Sequence, residues 1–336
     1  MKAREGDLIE TAEGLIFDVK GLVHPPKRVI AFIRYFPDAS GKRKRRGLAY
    51  GKVYSLSERY KLLEEDFPQY LAYDQIFDET LCEVPTDKIR RHYNPIEKLR
   101  EFRNSNSLDQ LESRTLQLAT MLKEKANILW SAVGVSGSIL AGLHTTGSDI
   151  DLIVYGAKNC LKTYSALRKL MEDNKVLMQY DVNELRALFD FRSKDTVTSF
   201  EDFVRTESRK VMQGKLHGTD FFLRFVKDWG EINEDYGDVC YRNVGYARIE
   251  ATVVEDSQAI LTPCNYLIKN VKVVEGTDCE HMNEIASFRG RFCEQARKGE
   301  VVIAQGKVER VIDVKQGTEH FRLLLGSKTS DFMIPK

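Results

Sequence analysis

The sequence predicts an α/β (α+β) protein in which a core with a short mixed sheet is flanked by two β-rich regions. Three stretches support this class: β-like runs broken by turn residues over 1–100, strands alternating with helices over 101–235, and β periodicity again over 236–336. We expect these stretches to be three domains. The third has strands of even spacing and is expected to be β-barrel-like, with an OB-like barrel as one form it could take.

Composition limits the classes of function. The chain has 336 residues, of which 42% are hydrophobic, and can therefore build several cores. Its 51 basic and 50 acidic residues give a formal net charge of +1, so no strong overall field favours a nucleic acid or a membrane. Any such partner would have to bind a local patch.

Targeting signals and cysteine spacing indicate the compartment. The first residues, MKAREGDLIETAEG, lack an apolar signal core, and no run approaches the roughly 18 apolar residues that a membrane helix needs. The six cysteines are scattered, without metal-ligand spacing or a dense disulfide framework, and we expect reduced thiols. These patterns predict a cytoplasmic protein with no membrane partner.

The first region contains a run of five consecutive cations, Lys42 to Arg46. They follow the turn residues PDASG and lie between the β-like runs RVIAFIRYF and GLAYGKVYSL. Two interpretations stay open: an arm that binds phosphate groups, or the solvated tip of a hairpin.

The central region alternates between helical and strand patterns. Ser107 or Asp109 could cap a helix through LDQLESRTLQLATMLKEKANILW. The elements expected after it are the apolar segment SAVGV, a helix from a Gly-Ser turn, the strand DIDLIVYG, helices in LKTYSALRKLMEDN and SFEDFVRTESRKVMQG, and the strand TDFFLRFVKDW. This order predicts α/β layers.

Two carboxylates stand at the start of the apolar strand DIDLIVYG. Asp149 and Asp151 are two residues apart, so a strand would place both on one face. Two like charges this close need a compensating cation, and carboxylate oxygens suit Mg²⁺. Enzymes of phosphoryl and nucleotidyl transfer hold two such ions about 3.5–4 Å apart. We therefore expect a site for two Mg²⁺ ions, with Mn²⁺ as an alternative.

A Gly-Ser turn precedes the carboxylates. Gly137 allows close approach of the backbone, and Ser138 would add its hydroxyl to the free N–H groups at a helix start, a combination suited to phosphates. The alternative is structural: Ser138 would only cap the helix, and Asp149 would only belong to a loop.

The combination resembles a family signature. A Gly-Ser turn, ten intervening residues and Asp-x-Asp before apolar residues, in GSILAGLHTTGSDIDLIV, resemble the DNA polymerase β-like nucleotidyltransferase superfamily. The likeness is strongest to its minimal, antibiotic-modifying and CCA-adding branches. Phrases such as FDVKGLVHPPKRVIAFIRYFPD also make the chain similar to predicted archaeal nucleotidyltransferases.

The resemblance implies a third metal-binding carboxylate on a neighbouring strand. Asp220, at the start of an apolar strand after a Gly-Thr turn, is its match, and Asp190 in ALFDFRSK is the rival. The catalytic and metal-binding set would then be Asp149, Asp151 and Asp220. Asp220 would also assist deprotonation of the acceptor hydroxyl.

Further residues are candidates for binding the nucleotide. Ser148 belongs to the Ser-Asp-x-Asp motif of the resemblance, and the charge of a triphosphate calls for fixed cations. Lys215 and Arg209 are the candidates on or after the helix before Asp220, although a solvated helix face would also explain them.

These features predict an Mg²⁺-dependent nucleotidyltransferase that moves an NMP from an NTP to an acceptor hydroxyl and releases pyrophosphate. RNA, such as a tRNA, is the acceptor that the basic run and an OB-like barrel would favour. Aromatic residues of the third region could stack on bases or simply form a core: Tyr246, Tyr266, Phe288, Phe292 and Phe321. The alternatives are a non-catalytic nucleotide- or RNA-binding protein, and an enzyme that nucleotidylates a protein or a small molecule.

Overall fold

The computed structural model describes residues 2–173, 176–194, 196–279 and 281–336. It confirms the mixed α/β class with several sheets. Packing divides the chain into two compact units, whereas the three domains stay a prediction of the sequence. The first unit comprises Met1–Tyr73, Thr80–Met178 and Val211–Asn233, and the second comprises Asp74–Glu79, Gln179–Lys210 and Glu234–Lys336.

The β-rich N-terminal region forms an eight-stranded sheet. Its strands follow in the order β4-β5-β3-β2-β1-β8, and β7 pairs with β3 and β6 beside this path. The elements are β1 (Leu8–Thr11), β2 (Ile16–Val19), β3 (Arg28–Pro37), β4 (Arg43–Arg45), β5 (Leu48–Lys52), α1 (Leu56–Asp66), β6 (Leu71–Asp74), β7 (Glu79–Pro85) and β8 (Ile89–Tyr93).

A five-stranded mixed sheet forms the middle of the first unit. Its order is β11-β12-β13-β10-β9, with β10 and β13 parallel and the other neighbours antiparallel. The elements are α2 (Pro95–Asn104), α3 (Gln110–Ala126), β9 (Val133–Val135), α4 (Gly137–Ala141), β10 (Ile150–Tyr155), α5 (Ala157–Asp173), β11 (Leu177–Met178), β12 (Gln213–Leu216) and β13 (Thr219–Val226).

Local chemistry sets the ends of these helices. Asp109, rather than Ser107, caps α3 and exchanges reciprocal hydrogen bonds with Glu112. The predicted helix after the Gly-Ser turn is short, because the left-handed Gly142 ends α4 after five residues.

The N-terminal sheet packs against α4 and the segment after it. Tyr35 and Tyr50 of the sheet share a buried apolar cluster with Leu140, Ala141 and Leu143. The β-rich region and the Asp-x-Asp core therefore share one hydrophobic core within the first unit.

The second unit combines two helices with a ring of strands. Its elements are α6 (Val182–Arg192), α7 (Phe200–Glu207), β14 (Val239–Glu255), β15 (Cys264–Gly276), β16 (Met282–Ser287), β17 (Val301–Asp313), β18 (Thr318–Leu325) and β19 (Phe332–Pro335). Pairing runs β14-β15-β16-β18-β17 and returns to β14, so five strands close on each other. The pair β16 and β18 is parallel, and β19 pairs with the first half of β17.

Two aromatic residues of this unit are core residues. Tyr266 and Phe292 are 1% and 3% exposed, and the Tyr266 hydroxyl donates to the Phe292 carbonyl at 2.6 Å. They cannot stack on a bound base in this conformation, which favours the core interpretation for both.

Two further expectations concern membranes and thiols. Within the described residues, no helix has the length and apolar character needed to cross a bilayer. The six cysteines carry free thiols, and all but Cys240 are buried.

Charged groups link the two sheets of the first unit. Arg224 of β13 lies 2.7 Å from the fully buried Glu5 and 3.7 Å from Asp18 of β2. Lys20 lies 2.7 Å from Asp18. Burial by itself would raise the pKa of Asp18, but Lys20 and Arg224 lower it to about 2.

Asp18→Asn should therefore destabilise the fold at pH 7 by roughly 2 kcal/mol. The folded-state pKa of Asp18 is depressed, so its contribution is present above about pH 4 and is lost as the pH falls towards about 2. Urea unfolding at several pH values measures this difference. Asp87 is exposed, so Asp87→Asn is the control. If Asp18→Asn lowered the free energy of unfolding by the same amount at pH 3 as at pH 7, the lowered pKa of Asp18 would be contradicted.

Candidate active site

Asp149 and Asp151 lie at the beginning of β10. Ile150 and Leu152 are buried on one face of this strand. Asp151 is half-buried on the opposite face, and Asp149 is exposed immediately before the strand. The alternation therefore directs both carboxylates to the same side of the sheet.

The neighbouring strand supplies the third predicted carboxylate. In the parallel pair β10 and β13, Asp151 is opposite Phe222. Continuing this register by one residue puts Asp220 opposite Asp149, on the same face as both aspartates. Lys215 of β12 is opposite Asp220, and its Nζ lies 3.5 Å from the Asp220 Oδ1.

The rival for the third carboxylate lies elsewhere. Asp190 is an exposed residue of α6, in the second unit. The strand register of the first unit thus favours Asp220, and no comparable register relates Asp190 to Asp149.

The charge of Asp151 is strongly perturbed. Burial and the neighbouring Asp149 carboxylate raise the pKa of Asp151 to about 7. Arg224, Arg34 and Lys52 act in the opposite direction. A buried carboxylate beside a second carboxylate is the environment in which added positive charge is most favourable.

The Gly-Ser turn closes directly over Asp151. Gly137 has a φ of +61°, and a Cβ added to it would lie 1.9 Å from the Asp151 Oδ2. The Ser136 amide also donates to the Asp151 carbonyl at 2.8 Å. Glycine is therefore required at 137 both for its backbone conformation and for the space that the carboxylate occupies.

Ser138 does not cap α4. Ser136 is the N-cap residue, and its hydroxyl donates to the Gly6 carbonyl at 2.6 Å. Ser138 is 4% exposed, and its Oγ has no hydrogen-bond partner among the described residues. A buried hydroxyl without a partner costs on the order of 1–3 kcal/mol, which a polar ligand at this position would offset.

Ser148 and Arg43 lie together beside Asp149. The buried Ser148 Oγ accepts from the Thr145 amide at 2.9 Å, which fixes the turn before Asp149. Arg43 donates to the Leu143 carbonyl at 2.5 Å and lies 3.4 Å from the Ser148 Oγ. The basic run thus contacts the loop that carries the carboxylates.

Only part of the basic run makes these contacts. Arg45 lies 2.7 Å from Glu10 and donates to the Ala141 carbonyl at 3.1 Å. Lys44, which alternates with Arg43 and Arg45 along β4, is exposed. The run forms β4 and the turn after it, so it is not wholly a solvated hairpin tip: strand pairing turns Arg43 and Arg45 towards α4 and leaves Lys44 exposed. The alternation R-K-R was the signal in the sequence.

Arg209 belongs to the second unit. Its guanidinium pairs with both oxygens of Glu300, at 2.5 and 2.9 Å, and donates to the Gln295 carbonyl at 2.8 Å. These contacts give Arg209 a structural role within that unit, so we leave it out of the proposed nucleotide site.

A different trio of residues has metal-ligand atoms close together. Asp109, Glu112 and His144 each offer an atom within 4.8 Å of the others, whereas the described Asp149, Asp151 and Asp220 do not all approach one another this closely. Asp109 and Glu112 form the reciprocal cap of α3, and His144 lies 2.7 Å from Asp109. Helix capping and this ion pair account for the cluster.

Comparison with known proteins identifies the domain that carries the Asp-x-Asp strand. A family model described as a nucleotidyltransferase domain matches residues 117–210, which include Asp149 and Asp151 and end before Asp220. The chain is 36% identical over 341 residues to the uncharacterized protein MJ1086 of Methanocaldococcus jannaschii, and the match covers 99% of this chain and 98% of that protein. No solved structure matches the chain significantly.

The class follows from the fold and the domain match: the chain carries a nucleotidyltransferase domain of the DNA polymerase β-like superfamily, as its signature predicted. Along its whole length it belongs to the same family as the Methanocaldococcus jannaschii protein. The domain implies nucleotidyl transfer in general, with an NTP as substrate.

Gly137→Ala should lower the free energy of unfolding by roughly 1–3 kcal/mol, because the new methyl group would displace the Asp151 carboxylate from a left-handed turn. Gly147→Ala, in the loop after α4, is the matched control, since a Cβ there meets no atom within 4 Å. Chemical denaturation of both variants measures the difference. Equal stability of the two would contradict the close contact between Gly137 and Asp151.

Proposed function

We propose that the protein is an Mg²⁺-dependent nucleotidyltransferase that transfers an NMP from an NTP to an acceptor hydroxyl and releases pyrophosphate. The observation that carries this proposal is the common face of Asp149, Asp151 and Asp220 at the start of two parallel strands. The Gly-Ser turn that closes over Asp151 supports it further.

The residues present fit a divalent metal. Asp149, Asp151 and Asp220 would hold two Mg²⁺ ions, and Mn²⁺ could replace them because it accepts the same oxygen ligands. The environment of Asp151 supports this assignment, since a buried carboxylate next to another favours added cations. Bound metal would neutralise charge on the reacting phosphate and make the acceptor hydroxyl more acidic.

The remaining roles belong to side chains of the first unit. The unpartnered Ser138 hydroxyl would donate to an oxygen of the β- or γ-phosphate, and Gly137 would leave room for the Asp151 carboxylate beside it. Asp220, at the exposed edge of the site, would assist removal of the proton from the acceptor hydroxyl. Lys215, beside Asp220, would add positive charge near the departing pyrophosphate.

RNA is the acceptor that we propose. The five-stranded ring of the second unit has the strand order β14-β15-β16-β18-β17, in which the neighbours β16 and β18 are parallel. This order is that of an OB-like barrel, a fold that binds oligonucleotides on one face and its adjoining loops. A tRNA is one such acceptor.

Incubation with each α-³²P-labelled NTP, Mg²⁺ and either total RNA or total protein tests both the activity and the acceptor. We expect label in RNA, and none with the double variant Asp149→Ala/Asp151→Ala, because that variant removes two of the proposed metal ligands. Label in protein instead of RNA would mean that the acceptor is a protein. NTP binding that is independent of Mg²⁺, without transfer to any pool, would instead support a non-catalytic nucleotide-binding protein.

Asp220→Asn should lower the rate of label transfer at least about 100-fold and leave the melting temperature unchanged, because an exposed carboxylate contributes to chemistry rather than packing. Asp190→Asn is the matched control, since Asp190 is also exposed but lies on α6. Initial rates of transfer at saturating NTP measure both variants. A greater loss of rate with Asp190→Asn would transfer the third-carboxylate role to Asp190.

A further inference from the structure

Three cations of the N-terminal sheet lie near the carboxylates of the proposed site. Arg34 of β3, Arg43 of β4 and Lys52 of β5 are each half-buried, and we call them the sheet cations. The charges of Arg34 and Lys52 act on Asp151, and those of Asp149 and Asp151 act on Lys52. No local pattern predicts this proximity, because more than 100 residues separate Arg34 from the nearest of these carboxylates.

Strand register turns two of these side chains towards α4. Arg43 is opposite Tyr50 across the β4 and β5 pair, and Lys52 is opposite Tyr35 across the β5 and β3 pair. Residues directly opposite share a face. Tyr35 and Tyr50 are buried in the cluster with Leu140, so Arg43 and Lys52 lie on the face that covers α4.

A β-bulge positions the third sheet cation. The register between β2 and β3 passes from Ile16 opposite Tyr35 to Phe17 opposite Ile33, which leaves Arg34 as an extra residue. Bulges change the direction of a side chain and are frequent beside active sites. Arg34 is therefore the residue of β3 whose orientation departs from simple alternation.

The sheet cations differ from the neighbouring cations that have structural roles. Arg45 and Arg224 each have a carboxylate at 2.7 Å, from Glu10 and Glu5 respectively. In the described part of the chain, no carboxylate lies within ion-pair distance of a sheet cation. Half-buried cations that lie close together without carboxylate partners cost free energy, and a bound anion would offset this cost.

The environment of Lys52 agrees with a site for an anion. Burial is the main cause that lowers the pKa of Lys52 to about 8, and Arg34 and Arg43 lower it further. Asp149 and Asp151 oppose this change. A polyphosphate with bound metal would interact with both sets of charges: its oxygens would accept hydrogen bonds from the sheet cations, and its metal ions would bind the carboxylates.

We propose that the N-terminal sheet forms the second wall of the nucleotide site, where Arg34, Arg43 and Lys52 bind the triphosphate of the NTP and then its pyrophosphate product. This inference rests on the proposed function for its substrate. Arg43 ties the wall to the loop of Ser148, the residue before Asp149. The triphosphate, rather than an RNA phosphate, is the ligand because three cations on one side match a chain of three phosphates.

A purely structural role would predict a different behaviour. Arg34 and Lys52 both lie against the ring of Tyr54, at 5.9 and 4.7 Å from its centroid. If these cation–π contacts were their main purpose, their loss would lower stability and leave anion binding unchanged.

The test compares Lys52→Met, Arg34→Met and the double variant with Lys44→Met, an exposed control on the same sheet. Inorganic tripolyphosphate and NTP are the probes, each titrated calorimetrically with Mg²⁺ and each compared with NMP. We expect each single variant to bind NTP and tripolyphosphate about tenfold more weakly or worse, with NMP binding and melting temperature unchanged. Lys52→Arg, which keeps the charge, should retain most of the affinity.

Unchanged affinity for NTP and tripolyphosphate in the double variant would overturn the inference, as would a fall in melting temperature alone. The probes separate this outcome from failure of the proposed function. Tripolyphosphate binding that depends on the sheet cations, in a protein that transfers no label, would support the wall and reject the transferase. Label transfer that survives in the double variant with an unchanged NTP affinity would support the transferase and reject the wall.

Discussion

Burial of the Asp151 carboxylate is the constraint on which the first unit depends. Its charge lies beside Asp149 in a partly dehydrated environment, where a second negative charge is costly. Positive charge has to be provided from several directions, and Arg224 of the neighbouring strand provides one part of it. The Gly137 backbone lies so close to the Asp151 carboxylate that no side chain at position 137 would fit between them. The sheet, the turn and the surrounding cations thus all act on the negative charge of Asp149 and Asp151.

The N-terminal sheet takes part in this solution and is more than an appended domain. The face that shares a core with α4 also carries Asp18, which joins β13 through Arg224, as does the buried Glu5 before β1. A sheet fixed by both packing and ion pairs can hold charged side chains at a constant distance from the carboxylates. Under the proposed function, this arrangement gives the β-rich region a part in the nucleotide site.

The second unit is organised by other interactions. Five strands close on each other, and ion pairs such as that of Arg209 with Glu300 fasten the segment after α7 to the strand ring. The nucleotidyltransferase match ends at residue 210, so it includes α6 and α7, which belong to the second unit. The chain therefore leaves the mixed sheet after Met178 of β11 and returns to it at Gln213 of β12, and the segment Gln179–Lys210 between them belongs to the second unit. Sequence distance from the signature thus says little about distance from the site.

The sequence alone determined the features that depend on near neighbours in the chain: the short mixed sheet, the Gly-Ser turn and the strand that carries Asp149 and Asp151. Spacing of a few residues fixes turns and strand faces, so local patterns suffice for these. Tertiary structure decided the rest. Strand register decides which residues lie beside Arg43 and Lys52. The bulge at Arg34 depends on the shift in pairing between β2 and β3. The ion pair of Arg209 depends on Glu300, which lies far along the chain. Contacts between residues 91 to 105 positions apart leave no periodic trace in the sequence, because the fold, and not the local chain, brings these groups together.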